Sequence, residues 1–146
     1  MSKAKIMVAL RDEVSVDSLM HLACQLSQGM DVDLLALHVV QLPLVTPLDA
    51  EDENIDRAGK HVLEHARKTA EKLRFSISTE LLRAREVGEA IVGVARERGV
   101  ELIVMGHHKP HSRALGETLG EGIAHYVTRH ATCRVILQIP APAHDA

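Results

Sequence analysis

Glu101-Leu-Ile-Val-Met105 is a short apolar run that ends at Gly106 and leads into a basic, histidine-rich segment. Leu119-Gly120 then opens a helical pattern, and a second apolar run follows in Arg134-Val-Ile-Leu-Gln-Ile139. This stretch predicts a strand, a loop, a helix and a strand. A loop that leaves the carboxyl end of a strand and enters a helix is a usual anion site in α/β proteins, because unpaired backbone N–H groups and the helix dipole point at it.

The same alternation runs through the whole chain. Strands are predicted over residues 4–10, 32–40, 75–84, 101–105 and 133–139, and helices near 15–29 and over 54–73, 88–98 and 119–131. The longest helix is expected to bury a stripe made of Ile55, Ala58, Val62, Ala66, Ala70 and Leu73. Five strands that alternate with four helices predict an α/β fold, a Rossmann-like open parallel sheet with helices on both faces.

Length and composition restrict the function. The 146 residues fit one domain, predicted over residues 1–140, with a disordered tail over 141–146. The net charge of −3 and the presence of only one Tyr and one Phe disfavour nucleic-acid binding. The first residues do not resemble a secretion signal, and the apolar runs are short, so we expect a cytoplasmic protein without direct membrane insertion. Cys24 and Cys133 are expected to be reduced and partly buried.

Two histidine clusters have an alternative reading as metal sites. His61-Val-Leu-Glu-His65 matches the His-x-x-Glu-His pattern of some zinc peptidases, but it lies in the middle of a helix, away from strand ends where clefts form. Solvated helix residues are the preferred interpretation. The second cluster, His107-His-Lys-Pro-His111, is interpreted as a surface loop whose histidines titrate near neutral pH, since cysteines and carboxylates are missing beside it. No functional metal site is predicted.

Several segments, taken in order, resemble the universal stress protein family. They are Lys5-Ile-Met-Val-Ala-Leu10, Leu35-Ala-Leu-His-Val-Val40, Glu89-Ala-Ile, Ala95-Arg-Glu-Arg-Gly, Leu102-Ile-Val-Met-Gly106, Leu119-Gly120 and Arg129-His-Ala-Thr-Cys-Arg-Val-Ile-Leu137. The segments Ala36-Leu-His-Val-Val40 and Val127-Thr-Arg-His-Ala-Thr-Cys-Arg-Val135 are also similar to stress-protein domains attached to some bacterial cation and amino-acid transporters. The resemblance implies a sheet of order 3-2-1-4-5, a homodimer formed through the last strand and, in one branch of the family, bound ATP.

The chain departs from the ATP-binding branch at two places. That branch has an Asp at the end of the first strand, where this chain has Arg11, with Asp12 one residue late. In the loop after the fourth strand, Gly106 matches the first glycine of the phosphate motif and Lys109 replaces the second. Gly120 falls one residue beyond the expected spacing, and Glu121 stands where a hydroxyl is expected. A carboxylate about 4 Å from a phosphate oxygen costs roughly 1 to 4 kcal/mol, so tight triphosphate binding is disfavoured.

The candidate site follows from the resemblance and from the rule that ligands bind at the carboxyl ends of strands. It comprises Ala9, Leu10, Arg11, Asp12, Val39, Val40, Met105, Gly106, His107, Lys109, Gly120, Glu121 and Gly122. The dimer edge is predicted at Val135, Ile136, Leu137 and Ile139, which are apolar on both faces of the last strand.

The preferred function is that of a non-catalytic, dimeric stress-protein domain, without a cofactor, in stress response or in regulation of a partner such as a membrane transporter. The alternative is a switch that binds ATP or AMP in the crevice between the loops after the first and fourth strands. An enzyme is disfavoured because no nucleophile has an oriented base, and a phosphate loop of the Gly-Lys-Ser/Thr type is missing.

Overall fold

The computed structural model describes residues 3–49, 53–107 and 117–139, and side chains for all of these except residues 117–121. Strands and helices alternate along the chain as the sequence predicts. The strands are β1 (Ala4–Leu10), β2 (Val32–Gln41), β3 (Ile77–Ala84), β4 (Leu102–Gly106) and β5 (Arg134–Gln138). The helices are α1 (Val16–Ser27), α2 (Glu53–Lys72), α3 (Val87–Arg98) and α4 (Glu117–His130).

All five strands pair in parallel in the order β3-β2-β1-β4-β5. The predicted fold class and strand order are therefore confirmed. Strand β1 is central, with β2 and then β3 on one side of it and β4 and then β5 on the other. The strand order reverses between β1 and β4, and this reversal opens a crevice at the carboxyl ends of the central strands.

The two faces of the sheet carry separate hydrophobic clusters, because successive residues of a strand point to opposite faces. On β1, Ile6, Val8 and Leu10 pack under α1 and α2, whereas Met7 and Ala9 pack under α3 and α4. The central strands are thus buried on both faces, as a parallel sheet requires.

Helix α2 packs tightly against the sheet at Gly59, and here the predicted stripe is wrong by one residue. Ala58 is exposed, whereas Gly59 is buried together with Val62, Leu63, Ala66, Thr69 and Ala70. A Cβ atom at Gly59 would lie 2.6 Å from Leu81 Cδ1 and 3.0 Å from His38 Cδ2. A side chain larger than hydrogen therefore does not fit at this contact without movement.

Two predicted boundaries are wrong by more than one residue. Strand β3 begins at Ile77 rather than at Phe75, because Arg74 takes a left-handed conformation with φ of 65° at the end of α2, and Phe75 N–H then bonds back to Ala70 C=O. Helix α4 begins at Glu117 rather than at Leu119, which places Gly120 and Glu121 past its first three residues. Helix α1 ends at Ser27, and Gly29, with φ of 74°, closes it as predicted.

The remaining boundaries agree with the sequence to within one residue. In the part of the chain that the structure describes, no helix is both long and apolar enough to cross a membrane. The predicted tail, residues 141–146, lies outside the described residues.

Candidate ligand-binding crevice

Two adjoining cavities occupy the crevice at the strand-order reversal. They share Arg11, Val87 and Ile123 as lining residues, so one opens into the other. Arg11 follows β1, Val87 begins α3, and Ile123 lies in α4. Three segments that are far apart in sequence therefore meet at one point because the parallel strands all deliver their carboxyl ends to the same side of the sheet.

The inner cavity is small and apolar. Its volume is about 50 Å³, and Leu37, Val39, Ile91, Met105 and Ala124 form much of its wall. A space of this size holds one or two water molecules rather than an aromatic ring system. The inner cavity is therefore an apolar floor, and a ligand of any size has to lie in the outer cavity.

The outer cavity is larger and more polar. Its volume is about 370 Å³, within the range of about 300 to 1,000 Å³ that small-molecule sites occupy. Gln41, Glu86 and Glu89 bring polar side chains to its rim, and Tyr126 forms an aromatic wall. This combination of apolar walls and a few polar groups is typical of a small-molecule site.

Close packing of α3 against α4 shapes the outer cavity. A Cβ atom at Gly88 would lie 3.0 to 3.1 Å from three atoms of Tyr126, so glycine is needed for this approach. On its other side the Tyr126 ring stacks on His130, with ring centroids 4.2 Å apart. Tyr126 therefore packs against Gly88 of α3 and His130 of its own helix, and its ring forms a wall of the cavity.

Strand β2 extends beyond its neighbour at the mouth of the crevice. The last register pair between β1 and β2 joins Leu10 to His38, whereas β2 continues to Gln41 against β3. Backbone groups of Val39 and Gln41 on the β1 side therefore lie at or beyond the last residue of β1. Such groups can pair with a ligand edge that carries both a donor and an acceptor.

Most of the predicted site residues meet in this crevice. Those that line one or both cavities are Ala9, Leu10, Arg11, Val39, Met105, Gly106 and Gly122. Val40 is buried in β2 and does not line either cavity. Lys109 lies outside the described residues, and of Gly120 and Glu121 the structure gives only their position in α4.

Asp12 and His107 are placed differently from the prediction. The Asp12 carboxylate accepts hydrogen bonds from the Ser15 backbone N–H and the Ser15 hydroxyl, both at 3.3 Å, so it shapes the turn before α1. The His107 backbone N–H donates to Gln138 C=O at 3.0 Å, which ties the end of β4 to the end of β5. Neither side chain lines the crevice, and Arg11 is the charged group that β1 delivers to it.

The sequence interpretation missed the loop after β3. The predicted site takes residues from the ends of the first, second and fourth strands and from the start of α4, yet Glu86, Val87, Gly88 and Glu89 also line the outer cavity. A signal was present, because Glu86 and Val87 directly follow a predicted strand whose carboxyl end lies on the same side of the sheet. Tyr126 carried no local signal, since it lies within a helix and meets the crevice only through the packing of α3 and α4.

The His-x-x-Glu-His pattern in α2 does not form a metal site. His65 Nε2 lies 2.9 Å from an Asp17 carboxylate oxygen, and the Glu64 carboxylate pairs with Arg67. His61 is exposed, as predicted, whereas His65 is half-buried and bonded to α1. Within the described residues, no group of three or more His, Cys, Asp or Glu side chains has the arrangement of a metal site.

A polar network joins α1 to α2 beside the loop that follows β1. The Thr69 hydroxyl donates to an Asp17 carboxylate oxygen at 2.8 Å, and His65 lies between Asp17 and Glu13, whose carboxylate is 3.7 Å from His65 Nδ1. The hydrogen bond from Thr69, followed by that from His65, lowers the pKa of Asp17 despite an opposing desolvation effect. Asp17 is therefore ionised at neutral pH and holds the two helices together.

The two cysteines have no features of reactive thiols. Cys24 is buried in α1 and Cys133 is half-buried before β5, and neither forms a disulfide. Burial raises the pKa of both thiols. The thiolate, which is the nucleophile, is therefore scarce at neutral pH.

Comparison with known proteins identifies what this chain resembles. A model of the universal stress protein family matches residues 4–137. Among proteins of curated function, none is similar enough in sequence to match the chain. The matched region extends from the start of β1 to nearly the end of β5, so it includes every strand and helix described above.

Solved structures share the whole fold at low sequence identity. A universal stress protein family member from Burkholderia pseudomallei is 24% identical with a TM-score of 0.71, over 95% of this chain and 97% of that one. The universal stress protein of Archaeoglobus fulgidus in complex with dAMP is 20% identical with a TM-score of 0.72, over 94% and 98%. A family protein from Arabidopsis thaliana with AMP bound is 18% identical with a TM-score of 0.67, over 95% and 93%.

Proposed function

Since this chain belongs to the universal stress protein family, we propose that its crevice binds an adenine mononucleotide and that the loaded homodimer regulates a partner protein without catalysing a reaction. The observation that carries the proposal is the pair of adjoining cavities at the strand-order reversal, with an apolar floor and a polar rim. Two structurally similar proteins hold AMP and dAMP. Both ligands have a single phosphate.

The purine fits the outer cavity. Val87, Ile123 and Tyr126 offer apolar surface on which a flat base can pack. The exposed end of β2 offers backbone groups near Val39 and Gln41 for the edge of adenine, which has a donor next to an acceptor. Recognition by backbone would explain why the sequence shows no dedicated adenine-binding side chain.

Charge at the rim favours one phosphate over three. The lining residues include one cation, Arg11, and two carboxylates, Glu86 and Glu89. Carboxylates are suitable acceptors for ribose hydroxyls, whereas Arg11 suits a phosphate oxygen. A triphosphate would bring about four negative charges into this surrounding, so we expect AMP to bind more tightly than ATP.

The loop after β2 supports the proposal of a partner. The Arg85 guanidinium donates to Pro43 and Thr46 carbonyl oxygens, which fixes the turn that contains Leu44 and Val45. These two side chains are 86% and 91% exposed. A rigid loop that presents apolar side chains beside the crevice is suited to a protein contact that depends on the ligand.

The homodimer is proposed through β5. This strand is an edge of the sheet, and Val135, Ile136 and Leu137 are only half-buried. Ile139, directly after the strand, is 57% exposed. An apolar edge of this kind is stabilised when it pairs with a second copy about a two-fold axis.

The test is calorimetry and thermal unfolding with adenosine, AMP, cAMP, ADP and ATP. A ligand at about 100 times its dissociation constant adds about 2.7 kcal/mol to stability, which raises the melting temperature by several degrees. We expect the largest shift with AMP or cAMP and no product by mass spectrometry. Failure of all five ligands to bind, or tighter binding of ATP than of AMP, would contradict the proposal.

Arg11→Glu provides the matched variant because Arg11 is exposed and lies at the mouth of the crevice. Reversal of this charge should weaken AMP about tenfold and leave adenosine unchanged, since only AMP carries a phosphate. Arg96→Glu, an equal charge change at the exposed end of α3, is the control and should leave both affinities unchanged. Equal losses for AMP and adenosine would show that Arg11 does not contact the phosphate.

A further inference from the structure

A groove with basic side chains lies between α2 and β3, on the opposite side of β2 from the crevice. Its volume is about 560 Å³, and Arg57, Lys60, His61 and Arg67 of α2 line it. Thr79 and Leu81 of β3 form the floor. With histidines counted as neutral, the chain as a whole has a net charge of −3, whereas the groove is lined by three Lys or Arg side chains and one Glu.

Two of the cations are available for a ligand. Arg67 pairs with Glu64 and Glu71 on its own helix, which neutralises its charge. Arg57 and Lys60 form no ion pair within the described residues, and both are exposed. Among the described residues, Glu64, already paired, is the one acidic residue that lines the groove, and Asp56, which also interacts electrostatically with Lys60, is paired with Arg83. The groove therefore has a positive potential centred on the first three turns of α2.

The floor of the groove is an unpaired edge of the sheet. Among the described residues, β3 pairs with β2 alone. Ala84 C=O accepts from Leu42 N–H on the β2 side, so the alternate residues that include Thr79 and Leu81 direct their backbone N–H and C=O groups away from β2. These two residues also direct their side chains to the α2 face, and an added strand would pair there beside the cations.

From this geometry we infer that the groove is a docking site for an acidic, extended segment of a partner protein, which adds a sixth strand beside β3. The spacing of the charges fits this occupant. Alternate side chains of a strand are about 6.6 Å apart, and residues one helical turn apart, such as Arg57 and His61, rise by about 6 Å. Alternate Glu or Asp side chains on the added strand would each meet a basic side chain of α2. Backbone pairing supplies affinity and the alternating charges supply specificity.

A polypeptide fits this groove better than a nucleic acid. Among the described residues, no Phe, Tyr or Trp lines the groove, so bases lack a large aromatic surface for stacking. The unpaired strand offers alternating donors and acceptors along its length, which match a peptide backbone and not a chain of phosphates.

The first test measures fluorescence anisotropy of a labelled heptapeptide of alternating Thr and Glu with the full chain. We expect binding that weakens as NaCl rises from about 50 to about 300 mM. Two comparison peptides keep the composition: one has its Glu residues clustered, and one carries N-methyl groups on the amides that would face β3. Both should bind about tenfold more weakly. Equal binding of either peptide would overturn the proposal, because neither can form the alternating, hydrogen-bonded strand.

The second test changes the protein. The double variant Arg57→Glu with Lys60→Glu should weaken the alternating peptide at least about tenfold, whereas Lys72→Glu with Arg96→Glu, an equal charge change outside the groove, should not. Thermal unfolding shows whether each variant is folded. If a variant does not fold, the comparison of the three peptides still tests the proposal, because it uses the unchanged protein. AMP binding should be unchanged in the first double variant, which separates this proposal from that of the crevice. Tighter binding of oligo-dT or polyphosphate than of the peptide, lost in the same variant, would assign the groove to another polyanion and refute the proposal.

Discussion

Replacement of Gly59 by Ala is expected to lower the free energy of unfolding by about 1 kcal/mol, although Ala is normally the better helix residue. Gly59 lies in α2 where this helix meets the sheet. A Cβ atom here would lie 2.6 Å from Leu81 Cδ1 and 3.0 Å from His38 Cδ2. Carbon atoms prefer separations of about 3.5 Å or more, so Leu81 would have to move by about 0.9 Å and His38 by about 0.5 Å.

The two neighbours differ in their freedom to move. The methyl group of Leu81 is the end of a half-exposed side chain and can rotate towards the groove. His38 is restrained, because its Nδ1 atom is hydrogen-bonded to Leu10 C=O at 2.9 Å. Overpacking costs about 1 to 3 kcal/mol, and the gain in helix propensity offsets about 1 kcal/mol of this. The net effect is a loss of about 1 kcal/mol.

Gly93→Ala is the matched control. Gly93 also lies within a helix, α3, but a Cβ atom there would meet no other atom within 4 Å. The same substitution should therefore raise stability by about 0.5 to 1 kcal/mol. The two variants should differ by about 2 kcal/mol, or about 6 °C in melting temperature for a chain of this length.

Urea and thermal unfolding, followed by circular dichroism at one protein concentration, measure this difference. The double variant Gly59→Ala with Leu81→Ala tests the steric cause. In a protein that already carries Leu81→Ala, the Leu81 methyl groups are absent, so Gly59→Ala should lower the free energy of unfolding by less than it does in the unchanged protein. If Gly59→Ala proves as stable as Gly93→Ala, α2 is not held against the sheet as described, and the reasoning fails.

Three further predictions concern stability, thiol chemistry and assembly. Asp17→Asn should lower the free energy of unfolding by about 0.5 kcal/mol at neutral pH, a small value because Asp17 is largely exposed. The Thr69 hydrogen bond lowers the pKa of Asp17 in the folded protein. The stability that Asp17 contributes is therefore complete above the ordinary carboxyl pKa and is lost as the pH falls through the folded value. Chemical unfolding at several pH values should show that the stabilities of Asp17→Asn and of the unchanged protein converge in acid, and a constant difference would refute the prediction. Cys24 and Cys133 should react with iodoacetamide more slowly than glutathione at neutral pH, as mass spectrometry of the folded protein can measure, because burial raises both pKa values. Ile136→Lys should give a monomer or an aggregate in sedimentation, and an unchanged dimer would remove β5 from the proposed interface.

Much of the fold could be predicted because it depends on local patterns. Alternating apolar runs and helical stripes placed the strands and helices that the structure describes, and the closing glycines Gly29 and Gly99 both have positive φ, as a helix end requires. The errors came from contacts between elements. Ala58 and Gly59 are equally compatible with a helical stripe, and only the approach of Leu81 and His38 determines which of them faces the sheet.

The site was partly predictable for the same reason. Strand ends are visible in the sequence, and those of β1, β2 and β4 supplied Arg11, Val39 and Gly106. Tyr126 and Gly88 belong to the crevice only because α3 and α4 pack closely above the sheet. A helical residue carries no local sign of the neighbour that its side chain meets.

By itself, the sequence determined the order of strands and helices and the parallel sheet, because hydrophobic periodicity depends on residues that are close along the chain. The resemblance of several segments, taken in order, indicated the family. Only the tertiary structure decided which polar groups share a space: Glu86 and Glu89 with Arg11 at the crevice, and Arg57 and Lys60 beside the unpaired edge of β3. The physical reason is that charge interactions act through space at a few ångströms. Residues that are distant along the chain acquire a common function only after burial of the core has brought their elements together.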